Sequence, residues 1–129
     1  MKEENAILDK SMDFAVRIAN LYKYLSGTKG EGVMSKQMLR SGTSVGANVR
    51  EAIYGQSGND FVAKMSIALK EAFETDYWLE LLCRTEYLTA EQHGSIAADC
   101  KEILRILTSI VKSAKAAIEK KEKKNSKNS

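Results

Sequence analysis

Apolar residues recur at steps of three and four along four successive stretches of the chain, and this spacing restricts the fold more than any other feature. Such a period places the apolar side chains on one face of an α-helix. The 129 residues include no proline, so none of the stretches contains the residue that most readily breaks a helix. The pattern predicts an all-α fold with four amphipathic helices.

Glycine-rich segments and helix caps set the predicted boundaries. A first helix over about residues 6–26 ends at a connection, residues 27–32, that contains three glycines. A second helix covers about residues 33–54, and Ser57 caps a third over about residues 58–87. Thr89 and Gln92 form a capping box that starts the fourth helix. Because the connections are short, the helices form an antiparallel up-down-up-down four-helix bundle.

The positive charge lies mainly at the C-terminal end. The whole chain has a net charge of +3, and residues 115–129 hold six Lys and two Glu, which leaves the rest of the chain at −1. The last apolar residue of the fourth stretch is Ile118, so residues 1–118 are predicted to form the bundle and residues 119–129 a disordered, lysine-rich tail. Such a tail attracts polyanions, but it is also a common way for a helix to end in solvent.

The predicted compartment is the cytoplasm. No run approaches the roughly 18 apolar residues of a membrane span, and the first residues lack the apolar core of a signal peptide. We therefore expect no membrane partner. Across the hairpin of the third and fourth helices, Cys100 lies about 9 Å further along than the position opposite Cys83, beyond the roughly 7 Å that a disulfide spans. Two reduced thiols are predicted.

The middle of the second helix is unusual for a helix. Residues 41–48 read SGTSVGAN, and each interior glycine costs about 1 kcal/mol relative to alanine. This predicts a bend or an interruption near Gly46. The same small residues also allow another helix to approach closely.

No group of residues has the pattern of a catalytic or metal site. His93 is the only histidine, and it has no second histidine or cysteine at ligand spacing. No glutamate is followed by histidine at three residues, as di-iron bundles require. The glycines fit no phosphate-binding fingerprint. We predict no enzymatic activity, no metal and no cofactor.

One polar set lies along a single face of the second helix. Arg40, Ser44, Asn48 and Glu51 follow at steps of four, four and three. This face is either solvated or part of a buried hydrogen-bond network that joins helices or subunits. In the second case, Glu74 and Thr75 on the third helix are available as partners.

The same segment resembles a known family. Residues 37–52, QMLRSGTSVGANVREA, closely resemble the signature Q-L-x-R-A-x-x-S-I-x-A-N-I-x-E-G of the four-helix 23S rRNA intervening-sequence, or S23, proteins. Arg40, Ser44, Ala47, Asn48 and Glu51 match that signature. The resemblance covers about residues 12–114. It departs from the pattern at Gly46, where many members have proline, and at Ala52, where glycine is common.

The resemblance implies assembly. The biochemical role of the S23 family is largely unassigned. A protein of similar fold, the accessory variability determinant of diversity-generating retroelements, forms a homopentameric ring and binds nucleic acid and a reverse transcriptase. By this resemblance the present chain forms a ring, with Ser41, Gly42, Gly46 and Ala47 allowing close helix contact.

Two functional hypotheses follow. The first is a non-enzymatic homo-oligomer, a pentameric ring, that binds RNA or DNA weakly through positive surface, although the charge of −1 on residues 1–114 is low for a dedicated binder. The candidate nucleic-acid contacts are Lys36, Arg40, Arg50, Lys64, Lys120, Lys121, Lys123 and Lys124. The alternative is an adaptor that recruits a protein partner without touching nucleic acid. Tyr77, Trp78 and Tyr87 are then either its aromatic anchors or filler of the core and subunit interface.

Overall fold

A computed structural model describes residues 2–55 and 57–128 of the chain. The helices are α1 (Lys2–Lys23), α2 (Met34–Ile53), α3 (Gly58–Arg84) and α4 (Ala90–Lys127), and a π-helical turn, Tyr24–Thr28, follows α1. α1 and α3 each pack against both α2 and α4. No strand occurs within the described residues. The predicted all-α four-helix bundle is confirmed.

The caps at α3 and α4 are those that the sequence predicts. Ser57 Oγ accepts a hydrogen bond from the backbone N–H of Asp60 at 3.0 Å. Thr89 Oγ1 accepts from the N–H of Gln92 at 3.1 Å, and Gln92 Oε1 accepts from the N–H of Thr89 at 2.9 Å. These bonds satisfy amides that the first turn of a helix leaves unpaired.

The start of α2 uses a cap that the sequence analysis does not identify. Glu31 is buried, and its carboxylate accepts from the N–H of Ser35 at 2.9 Å and from that of Val33 at 3.2 Å. The Ser35 hydroxyl donates in return to the Glu31 carbonyl oxygen at 2.5 Å. A negative charge at a helix N-terminus is also favoured by the helix dipole. Glu31 therefore fixes the point where the glycine-rich connection becomes helix.

α2 is helical without a break from Met34 to Ile53, so of the predicted bend or interruption near Gly46, the interruption is wrong. The glycines instead allow α1 to lie close. A Cβ at Gly42 would be 2.8 Å from Cγ2 of Ile18, and a Cβ at Gly46 would be 3.3 Å from the carbonyl oxygen of Ser11. Helix packing stabilises a segment of weak helix propensity here.

The core lies between all four helices and ends before α4 does. The largest fully buried side chains are Phe14, Ile7, Ile18, Leu25, Met38, Met65, Leu79, Leu82, Ile103, Leu107, Val45 and Val49. The last buried residue of α4 is Val111, and only Ala114 and Ile118 are half-buried beyond it. The described part of the chain has no helix that is long and apolar enough to cross a membrane.

Residues 119–127 are helical, unlike the disordered tail that the sequence predicts. α4 continues past Ile118 to Lys127 with its side chains exposed, and Ser129 lies outside the described residues. The physical reason is local. Lys and Glu are good helix formers, and the segment contains neither glycine nor proline. Lack of burial alone does not end such a helix.

Both cysteines are free, as the helix geometry predicts. Cys83 is half-buried and Cys100 is buried. The Cys100 thiol donates to the carbonyl oxygen of Ala72 at 3.5 Å. Burial, together with the negative charges of Asp76 and Asp99, raises the pKa of Cys100 to about 12.

We expect a thiol reagent at pH 8 to modify Cys83 and to leave Cys100 unmodified until the protein unfolds. The thiolate is the reactive form, and a pKa of about 12 for Cys100 leaves only about one thiol in ten thousand ionised at that pH. Titration with a chromogenic disulfide reagent should detect one reactive thiol in the native protein and two in denaturant. The Cys83→Ser variant should show none in the native state. Two thiols reacting at equal rates in native wild-type protein would contradict the burial of Cys100.

Candidate functional site

Arg40 connects α2 to α3. Its guanidinium is exposed, and it pairs with Glu71 at 3.3 Å and, more closely, with Glu74. Glu74 also accepts from the indole N–H of Trp78 at 3.2 Å. The hydrogen bond to Glu74 and the charges of both glutamates raise the pKa of Arg40. The structure thus brings together Arg40 and Glu74 of the predicted polar network.

The other members of that network are placed differently. The side-chain amide of Asn48 donates to the carbonyl oxygen of Ser44 at 2.9 Å, which is a bond within α2. Glu51 accepts from the Lys64 ammonium at 2.9 Å across to α3, and this bond raises the pKa of Lys64. Ser44 and Asn48 therefore lie, half-buried, between two ion-paired ends. A role for them between subunits stays a prediction.

A buried polar contact between α2 and α3 involves Ser41 instead of the stripe. The hydroxyls of Ser41 and Thr75 lie 2.8 Å apart, and both residues are fully buried. Thr75 Oγ1 also donates to the carbonyl oxygen of Glu71 at 2.8 Å. The sequence does contain a signal for this contact. Ser41 lies three residues after Met38 and four before Val45, and this spacing places Ser41 on the core face of α2.

The nucleic-acid candidates fall into three groups. Lys36 and Arg50 are exposed and have no ion pair within residues 2–55 and 57–128. Arg40 and Lys64 already have carboxylate partners, so their charge is largely neutralised where it lies. The remaining four candidates, all lysines, are exposed on the end of α4. They are Lys120, Lys121, Lys123 and Lys124.

The exposed face of α4 also carries basic residues that the sequence analysis does not single out. Lys101, Arg105 and Lys112 are exposed and follow at steps of four and seven, which keeps them on one face. The same face continues into the end of the helix. We call this set the α4 basic stripe, and its members are Lys101, Arg105, Lys112, Lys120, Lys123 and Lys127. Averaging charge over residues 1–114 conceals it, whereas the helical spacing would have revealed it.

Several large apolar side chains are exposed on the outside of the bundle. On α1, Met12 and Val16 are 46% and 54% exposed, and on α3, Phe73 and Tyr77 are 56% and 58% exposed. A groove of about 400 Å³ beside Met12, between α1 and α2, is lined partly by the small residues Gly46 and Ala47.

The three aromatic anchors of the adaptor hypothesis differ in exposure. Tyr77 is exposed and meets Trp78 edge to face with ring centroids 5.0 Å apart. Trp78 and Tyr87 are half-buried against the core. Only Tyr77 therefore presents most of its ring to a partner.

His93 lies in the first turn of α4. No group of three or more His, Cys, Asp or Glu side chains in residues 2–55 and 57–128 is placed to hold a metal ion.

Comparison with known proteins identifies the family. No curated protein shows significant similarity to the chain. A solved structure from Bacteroides thetaiotaomicron VPI-5482, described as a protein with unknown function from the S23 ribosomal protein family, is 61% identical with a TM-score of 0.84. That similarity covers 85% of this chain and 98% of the other. The profile of the 23S rRNA-intervening sequence proteins matches residues 3–109. The chain therefore belongs to the family of 23S rRNA-intervening sequence, or S23, proteins.

Proposed function

We propose that this protein is a non-enzymatic homo-oligomer, a pentameric ring, that binds RNA or DNA weakly through its positive surface. The observation that carries the assembly is the exposure of apolar side chains on two separate helices, α1 and α3. Both helices pack against α2 and α4, so they occupy diagonal corners of the bundle. Two different patches on opposite sides favour a head-to-tail contact, and head-to-tail contacts form a ring when the rotation between neighbouring subunits closes.

Surface charge supports the nucleic-acid part of this proposal. The chain is positive overall, at +3, and Lys36, Arg50 and the α4 basic stripe have no carboxylate partner among the described residues. Unpaired lysine and arginine side chains release counterions from phosphates when they bind. The two free cysteines fit a reducing compartment, and we place the protein in the cytoplasm.

The test of assembly is the native mass, measured by light scattering on a sizing column at low and high salt. We expect a mass near five times the chain mass of 14.3 kDa. Val16→Asp and Tyr77→Asp should each reduce it to that of the monomer, because a charge in an apolar contact is costly. Val33→Asp is the matched control, since Val33 is 78% exposed but belongs to neither patch. A monomeric wild-type protein would overturn the ring.

Asn48→Ala tests whether the polar residues of α2 take part in the assembly. Asn48 bonds only along its own helix in the single chain, so a loss of mass would place its partner in another subunit. A variant with the native mass and an unchanged melting temperature would show that the Ser44 and Asn48 pair has no structural role.

The exposure of Tyr77 favours one further candidate, a ring that acts as an adaptor for a protein partner without touching nucleic acid. Tagged protein captured from lysate with and without nuclease separates the two functions. A partner protein that stays bound after nuclease treatment and is lost in Tyr77→Ala supports the adaptor. A partner that nuclease releases supports the nucleic-acid binder.

A further inference from the structure

The α4 basic stripe forms a long line of positive charge. Its members are spread from Lys101 to Lys127 along a single unbroken helix, and all are exposed. At 1.5 Å per residue the line is about 39 Å long. It begins on the packed part of α4 and continues past Val111, the last buried residue of the helix. The stripe is therefore one continuous surface that covers both the packed part of α4 and the C-terminal part beyond the core.

The two acidic residues of α4 on either side of Lys101 are paired with α1. Glu102 pairs with Lys10 at 3.0 Å, and Asp99 pairs with Arg17 at 2.5 Å, so both carboxylates face α1. No member of the stripe has an ion pair in the part of the chain that the structure describes. Residues 101–127 contain nine Lys or Arg and three Glu, a net +6 against +3 for the whole chain. The other two acids of this segment are Glu119 and Glu122.

The type of cation indicates whether binding to a nucleic acid depends on its base sequence. Five of the six members are lysines, which act as point charges toward phosphate and lack the rigid fork of donors that arginine has. Contacts of this kind position a protein on nucleic acid without recognising its sequence. Binding through the stripe should therefore be independent of base sequence.

The absence of aromatic side chains favours a duplex over a single strand. Proteins that hold single strands stack the bases on aromatic rings, and α4 contains no Phe, Trp or Tyr. A duplex presents a rigid array with one phosphate charge per roughly 1.7 Å of its axis. A long unbroken helix with a line of lysines complements such an array.

We infer that the α4 basic stripe is a sequence-independent binding surface for the phosphates of double-stranded nucleic acid. This inference rests on the proposed function, since it names the surface and the form of nucleic acid for that binding. Lys101, Arg105 and Lys112 extend the surface beyond the C-terminal lysines. Lys36 and Arg50, on α2, lie outside it.

The experiment measures the fluorescence anisotropy of labelled 20-base-pair DNA and RNA duplexes and of a 20-nucleotide single strand, titrated with full-length protein between 50 and 200 mM salt. The test variant is Lys101→Gln/Arg105→Gln/Lys112→Gln. Its matched control is Lys23→Gln/Lys29→Gln/Lys70→Gln, which removes the same charge from exposed positions outside the stripe. Circular dichroism of both variants checks that the helices remain folded.

We expect the wild-type protein to bind both duplexes more tightly than the single strand, and equally for different base sequences. The test variant should weaken duplex binding at least about tenfold at 100 mM salt and reduce the slope of log K against log salt by about 2 to 3. The control should change affinity less than about threefold. Equal losses in both variants, or tighter binding of the single strand, would overturn the stripe as the surface. No binding of any nucleic acid at 50 mM salt would overturn the proposed function itself.

Discussion

Replacement of Gly42 by alanine is expected to lower the free energy of unfolding by about 1 to 3 kcal/mol, although alanine is the better helix former. The added Cβ would lie 2.8 Å from Cγ2 and 3.0 Å from Cγ1 of Ile18. Ile18 is fully buried, and a β-branched side chain has one strongly preferred rotamer in a helix. Relief therefore requires α1 and α2 to move apart, which disturbs the packing along both helices.

The same substitution at Gly94 serves as the control. Gly94 is also inside a helix, but no atom lies within 4 Å of its added Cβ. Gly94→Ala should raise the free energy of unfolding by up to about 1 kcal/mol. Urea unfolding followed by circular dichroism measures both variants. In an Ile18→Ala background the cost of Gly42→Ala should become smaller. Stabilisation by alanine at both glycines would contradict the close contact of α1 with α2.

The bundle could be predicted because its signals are local and repeated. Apolar spacing predicts each of the four helices, and Ser57 and Thr89 mark two of their starts correctly. The cap that Glu31 forms at the start of α2 could not be predicted from such local sequence signals. Its carboxylate reaches the amide of Ser35 from a buried position inside a glycine-rich connection, and only the path of that connection brings the two together.

The polar face of α2 shows which contacts helical periodicity can predict and which it cannot. Ser41 and Ser44 belong to the same motif, yet Ser41 meets Thr75 in the core and Ser44 does not. The phase of the helix decides between them, and the spacing of Met38 and Val45 around Ser41 contains that information. The partners of Arg40 depend instead on how α3 packs beside α2, since both Glu71 and Glu74 come within reach only in the folded bundle.

For α4, a sum of charge over a long segment hides a positive surface that the helical spacing contains. A sum over residues 1–114 adds the cations on the exposed face of α4 to acids that lie on other faces and other helices. Glu102 and Asp99 cancel Lys101 and Arg105 in such a sum, but in the structure they pair with α1 residues. Net charge is informative when it is counted for one helix face. The exposed face of α4 is positive, although residues 1–114 together have a net charge of −1.

Phe14→Ala is expected to lower the free energy of unfolding by about 3 to 5 kcal/mol, the largest effect of any substitution considered. Phe14 is 1% exposed and lies on α1 facing the core. Removing its ring leaves a cavity that rigid helices fill only in part. Val16→Ala, two residues along the same helix, removes a side chain that is 54% exposed. It should change the stability of the single chain by less than about 0.5 kcal/mol.

The same pair of variants separates folding from assembly. If the outer side of α1 contacts a second subunit, Val16→Ala lowers the native mass while Phe14→Ala acts on unfolding of the chain itself. Urea unfolding at two protein concentrations distinguishes these effects, since a midpoint that depends on concentration requires contacts between subunits, and Val16→Ala should reduce that dependence. A large, concentration-independent loss in Val16→Ala would contradict the exposure of this face. A midpoint that is independent of concentration in the wild-type protein would show that the bundle derives its stability from its own core, with Phe14 near the centre of it.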